Sequence, residues 1–108
     1  MNKEYFPKTG ETVYTHVTEN GLTVVVIPRP GFRATYAVFG TRYGGVNVDF
    51  TDGDREIHPP AGIAHYLEHK MFDMPDGTNA LARLAAGGAD PNAFTSCEQT
   101  CYHFVTTD

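Results

Sequence analysis

Two adjacent prolines, Pro59 and Pro60, divide this chain by the kind of side chain it carries. Ahead of them β-branched and aromatic residues dominate; from Ala61 to Phe72 the only β-branched residue is Ile63. Proline cannot donate to a sheet ladder, and it pushes its predecessor out of the helical region. The chain must therefore finish one kind of structure before it starts the other. Upstream, residues 12–18 and 22–27 are predicted strands, with Asn20-Gly21 between them as the turn of a hairpin, both residues tolerating positive φ. Pro28 and Pro30 end the second strand, and residues 34–40 form a third. Residues 46–50 continue extended into a polar loop, 51–60, where Asp52-Gly53-Asp54 is a turn and lacks the remaining positions of a calcium loop.

Downstream the period changes. Residues 61–72 are a predicted helix, on which Ile63, Leu67 and Met71 make an i, i+4, i+8 aliphatic ridge read as its packing face. Residues 78–86 are a second, with Thr78 or Asp76 as N-cap and Gly87-Gly88 as its stop. Residues 92–96 and 101–107 are extended. The layout is a leader (1–10), strands (11–50), two helices (61–86) and closing strands (92–107). Hairpins plus grouped helices make this an α+β fold, an antiparallel sheet with helices on one face, rather than a parallel α/β sheet.

Charge narrows the partners. Thirteen acidic against eight basic residues leave a net charge of −5, without a basic patch, which argues against nucleic acid. The first eight residues hold no signal-peptide core, and the aliphatic run from Leu22 to Ile27 is too short to cross a bilayer. A soluble, cytoplasmic protein that keeps away from membranes is the expectation. In that compartment Cys97 and Cys101 are reduced; extended, they lie roughly 13 Å apart, too far to bridge.

The chemistry is concentrated in His65-Tyr66-Leu67-Glu68-His69. At about 100° per residue, His65, Glu68 and His69 share an arc of about 100°, and the aliphatic ridge lies on the opposite side. Histidines at i and i+4 can direct ring nitrogens at one zinc ion about 2 Å from each. A glutamate beside the second histidine can take a proton from water that the metal has acidified. A solvated face with hydrogen-bonded His and Glu would give the same string. Two histidines are also only two ligands, where a hydrolytic zinc takes three from the protein. Asp73, Asp76, Asp90, Glu98 and Asp108 follow, and none is placed convincingly for the third. Cys101 to Asp108 reads as a strand that stops without a turn, so the expectation is the opening part of a longer chain. Cys97, Cys101 and His103 share strand parity, but their spacing is not a zinc spacing; His16 reads as a surface residue, and His58, ahead of two prolines near the helix start, has no pattern around it that supports a role at the cleft.

The segment from Gly62 to Phe72 resembles the active-site helix of the insulinase/pitrilysin family of zinc metallopeptidases, whose zinc motif is inverted. Gly87-Gly88-Ala89-Asp90-Pro91-Asn92-Ala93-Phe94-Thr95-Ser96, followed by Glu98, Thr100 and Tyr102, is similar to a second motif of that family. The hairpin around Asn20-Gly21-Leu22 resembles its first strands, and Lys70-Met71-Phe72 its bacterial branch. The resemblance implies that His65 and His69 ligate zinc and that Glu68 is the general base. It implies that Asn92, Ala93 and Phe94 lie on an edge strand to which a peptide or small-protein substrate adds. The family's third ligand is a glutamate that would fall beyond residue 108. The implied fold is the start of a half-domain repeated within a clam-like chamber. The implied protein is a metalloendopeptidase whose first 108 residues are inactive alone, working as a homo- or heterodimer. The alternative is a non-catalytic, peptide-binding partner subunit of a heterodimeric peptidase.

Overall fold

The computed structural model describes residues 1–107. The chain divides into two units, the first ending at Phe32 and the second beginning at Arg33. Among the described residues, no helix is long and apolar enough to cross a membrane.

The first unit is a three-stranded antiparallel meander of β1 (Asn2–Phe6), β2 (Glu11–Val17) and β3 (Thr23–Val26), in that spatial order. β1 falls in the stretch expected to be a leader; Lys3 and Glu4 mask its strand character, and the aliphatic part of Lys3 carries its ammonium over the Tyr14 ring, 5.7 Å from the centroid. The β2–β3 turn is wider than the predicted two-residue Asn-Gly turn. Val17 pairs with Thr23, Thr18 N–H donates to Leu22 O at 2.9 Å, and Gly21 alone takes positive φ. Thr18 recruits the Asn20 side chain as an acceptor, so Asn20 stays out of the left-handed region. Arg29 pairs with Glu11. No residue of this unit is fully buried.

The second unit is built on β4 (Thr35–Thr41), β7 (Asp90–Thr95) and β8 (Thr100–Thr106), all antiparallel in the order β4-β8-β7. The register sets three cross-strand rows on one face: Ala37, Phe104 and Pro91; Phe39, Tyr102 and Ala93; Thr41, Thr100 and Thr95. Helices α1 (Ile63–Lys70) and α2 (Ala80–Ala86) pack on β7, and α1 reaches β8. Their side of the sheet is fixed by the Phe72 ring, which meets Tyr102 edge-on at 5.6 Å. The expected α+β arrangement of an antiparallel sheet with helices on one face is what forms. β7 is an edge strand, as the proline at its second position favours.

Between β4 and α1, the expected polar loop contains a small hairpin of β5 (Phe50–Asp52) and β6 (Arg55–Ile57). Asp49 and His58 continue its register outward, joined by a 2.7 Å hydrogen bond from His58 Nδ1–H to Asp49 Oδ1. Both helices are shorter than predicted. Helix α1 starts after Gly62, whose φ of 86° is open to glycine but strained for other residues. Helix α2 is capped by Asn79, not by Thr78 or Asp76: Asn79 Oδ1 accepts from Leu81 N–H at 2.9 Å and Ala82 N–H at 3.3 Å. Asp76 is instead spent on a local turn, accepting from Thr78 N–H at 3.0 Å and Thr78 Oγ1 at 2.6 Å.

The packing face of α1 corrects the sequence-based one. Ala64 and Glu68 are its buried residues, while Leu67 and Met71 of the aliphatic ridge stand exposed. Ala64 is small enough for close approach to the sheet, and Glu68 finds a hydrogen-bond partner there, which makes burial of a carboxylate tolerable.

Candidate metal centre

One turn of α1 separates His65 from His69, so their rings are neighbours along the helix, tilted with centroids 4.8 Å apart and planes at 46°. Their Nε2 atoms face each other at 3.1 Å. Two nitrogens at that separation can each lie about 2 Å from a common ion and subtend an angle of about 100°, near tetrahedral. Glu68 joins them: potential ligand atoms of His65, Glu68 and His69 all lie within 4.8 Å of one another. The donor set therefore fits zinc, with two imidazoles on the exposed side and a carboxylate on the buried side. Among the described residues this is the group of three or more such side chains that could hold a metal.

Glu68 is 7% exposed and its Oε2 accepts from Thr95 Oγ1, at the end of β7, at 2.5 Å. Tyr102 lies nearby on β8; burial, reinforced by the negative charge of Glu68, raises its phenol above the ordinary range. Thr100, 3% exposed, donates to the Tyr43 carbonyl at 2.8 Å and lies 3.5 Å from Thr95 Oγ1. Gly44 is the other half of this junction. A Cβ there would come within 2.5–2.6 Å of Gln99 N and of the Ser96 and Cys97 carbonyls, so the turn between β7 and β8 closes only over a glycine. Gly45 N–H and Val46 N–H then donate to the Ser96 and Cys97 carbonyls, each at 2.9 Å.

The carboxylates weighed as a third ligand go elsewhere. Asp73 pairs with Lys70 at 3.1 Å, which raises the Lys70 pKa, and Asp76 serves its turn and lies 3.8 Å from Arg83. Asp90 and Glu98 do not join the cluster, and Asp108 lies outside the described residues. Cys97 and Cys101 are free thiols; Cys97 falls in the turn, which breaks the parity with Cys101 and His103. His103 instead sits between the Tyr36 and Phe94 rings, at 5.8 and 6.2 Å. His16 is exposed on β2. His58 is also exposed, and its hydrogen bond to Asp49, helped by the charge of Asp49 and a weaker hydrogen-bonding contact with Glu56 against some desolvation, raises its pKa above 6.5.

Asn92, Ala93 and Phe94 lie in the middle of β7, bonded to β8 on one side. Asn92 and Phe94 point to the exposed face and Ala93 to the helices, while Ala93 N–H donates to Asn92 Oδ1 at 2.9 Å. An apolar hollow of about 300 Å³, walled by Phe72, Leu84, Pro91, Tyr102 and Phe104, opens on the helix side and takes in none of His65, Glu68 and His69. Thr95 and Thr100 carried no assigned role in the sequence. The available signal was their parity, since both fall on the helix-facing rows of their strands.

Comparison with known proteins gives a consistent picture. Residues 45–108 match the family model described as Insulinase (Peptidase family M16). The chain is 46% identical over 99 residues to an uncharacterized zinc protease of Bacillus subtilis, YmfH, covering 90% of this chain and 23% of that protein. It is 31% identical over 108 residues to insulin-degrading enzyme-like 2 of Arabidopsis thaliana, covering 94% of this chain and 10% of that protein. The crystal structure of an M16-like peptidase from Alicyclobacillus acidocaldarius superposes with a TM-score of 0.84 at 43% identity, over 91% of this chain and 23% of that one. The chain thus spans about a quarter or less of the length of these relatives.

Proposed function

The chain belongs to the insulinase family, peptidase family M16, and from that premise we propose that the protein it comes from is a zinc-dependent metalloendopeptidase. The observation that carries this reading is the facing Nε2 pair at 3.1 Å with the Glu68 carboxylate in the same cluster. His65 and His69 would hold the zinc, each as a neutral imidazole, with a third protein ligand supplied from beyond residue 108. When bound, zinc supplies Lewis-acid activation of water and of the scissile carbonyl.

The remaining steps belong to side chains and backbone of this chain. Glu68 accepts the proton of the attacking water on its carboxylate and delivers it to the leaving amine. Its burial keeps bulk water from competing with the substrate for its carboxylate oxygens. The substrate peptide adds as an extra strand on the edge of β7 beside Asn92, Ala93 and Phe94, bound through its main chain with little demand on its sequence. Residues 1–108 alone would bind zinc weakly and leave peptides intact, for want of that ligand.

The test uses the complete protein. Stoichiometric zinc and peptide cleavage that stops with a chelator and returns with zinc are expected, together with loss of cleavage in Glu68→Gln. A wild-type protein that binds peptide without cutting it would assign the partner-subunit role instead, and efficient, chelator-sensitive cleavage by residues 1–108 alone would overturn the incompetence of this part.

A further inference from the structure

Glu68 and Thr100 are the buried polar side chains among the described residues, and they stand at the two ends of one line of contacts. Glu68 Oε2 meets Thr95 Oγ1 at 2.5 Å, Thr95 Oγ1 lies 3.5 Å from Thr100 Oγ1, and Thr100 Oγ1 meets the Tyr43 carbonyl at 2.8 Å. A threonine hydroxyl carries one proton. The Tyr43 carbonyl can only accept, so Thr100 gives its proton to Tyr43. A carboxylate likewise accepts, so Thr95 gives its own to Glu68. Both protons are then committed, and the 3.5 Å approach between the hydroxyls is packing between two oxygens. The direction of the Thr95 hydroxyl is fixed by this count alone.

Its position is fixed as well. Thr95 pairs with Thr100 across the last rung of the β7–β8 ladder, and Thr100 pairs onward with Thr41. The turn between Thr95 and Thr100 is pinned against residues 44–46 by the two 2.9 Å backbone bonds and by the close approach at Gly44. The carboxylate of Glu68 is therefore held from outside its own helix, by a hydroxyl on a strand end that cannot shift without opening the sheet.

We propose that Thr95 is the positioning residue for Glu68, its hydroxyl holding the carboxylate toward the histidine pair, with Thr100 and Gly44 holding Thr95 in place. This rests on the reading of Glu68 as the general base. The Thr95 side chain lies on the helix-facing row, away from the exposed face that Asn92 and Phe94 occupy on the same strand. Losing its hydroxyl should therefore slow the reaction without weakening substrate binding. Partners that orient groups at a metal site are typically worth 10–100-fold in activity.

The experiment is made on the complete, zinc-loaded protein with Thr95→Val and Thr95→Ser. Thr95→Val keeps the shape and removes the donor; kcat is expected to fall about 10–100-fold with KM and zinc content unchanged. Thr95→Ser restores the donor and is expected to recover most of kcat. In the metal-free protein, the side-chain carboxyl carbon resonance of Glu68 should move in Thr95→Val and return in Thr95→Ser. Unchanged kcat in Thr95→Val, a Thr95→Ser as slow as Thr95→Val, or a Glu68 resonance indifferent to both overturns the proposal. If Thr95→Val does not fold, Thr95→Ala carries the same comparison. A wild-type protein without peptidase activity removes the base reading, while the Glu68 resonance still decides whether Thr95 holds the carboxylate.

Discussion

The two units spend their residues differently. The meander of residues 1–32 has three strands and no buried side chain, with Val24, Val25 and Val26 each exposed by 39% or more. It is held by its ladders, one ion pair and one cation–π contact. The second unit buries Ala64 and Glu68 on α1, Thr100 on β8 and Gly44 in the loop after β4, and the last two flank Thr95, the hydroxyl that meets Glu68. Burial in this chain is thus concentrated around one carboxylate, and a substitution should cost in proportion to its closeness to that point.

Matched substitutions put this contrast at risk. The largest effect is expected on activity: Glu68→Gln should lower kcat of the complete protein about 10²–10⁴-fold, whereas Glu11→Gln, the ion-paired carboxylate of the first unit, should leave it unchanged. Equal losses would erase the distinction. Next is the glycine junction. Gly44→Ala should destabilise by about 1–3 kcal/mol, because a Cβ would strike backbone atoms that cannot swing aside. Val25→Ala in the exposed strand should stay within about 0.5 kcal/mol, both read from urea unfolding of the same preparation.

Smaller again is Asn79→Ala, which removes the cap of α2 and should cost about 0.5–2 kcal/mol by the same assay. The smallest effect belongs to the exposed clasp between Asp49 and His58. The folded-state pKa of His58 is raised, so its contribution to holding the β5–β6 hairpin is complete below about 6.5 and fades as pH rises through the folded value. Asp49→Asn should bring the His58 titration, followed by NMR, back toward 6.5; a titration that ignores Asp49 would show that the clasp does not form in solution.

How much of this was legible beforehand depends on the range of the interaction concerned. His65, Glu68 and His69 were readable because their association is a matter of helical period within five residues. The strands near 12–18, 22–27 and 34–40 were readable because β-branched residues crowd there. β1 escaped because two of its five residues are charged, and the β5–β6 hairpin because its three-residue strands are mostly polar. The buried face of α1 departs from its aliphatic pattern for a physical reason. An aliphatic ridge is ordinarily the packing face, and what reversed it was a hydroxyl 27 positions away in sequence. The cap of α2 moved by one residue because Asp76 and Thr78 satisfied each other first.

That difference in range has a consequence for the order in which the centre can come together. The histidine pair needs only one turn of helix, a structure that forms in well under a millisecond once its surroundings favour it. The support of Glu68 needs Thr100 to find Tyr43 across 57 positions and β8 to find β4, and such distant closures carry the larger loop entropy and come late. During synthesis the ribosome also delivers β8 after the helix and both strands that flank it. A nascent chain therefore presents two imidazoles to any available metal before its carboxylate has been locked in place, and the centre is completed from the ligand side inward.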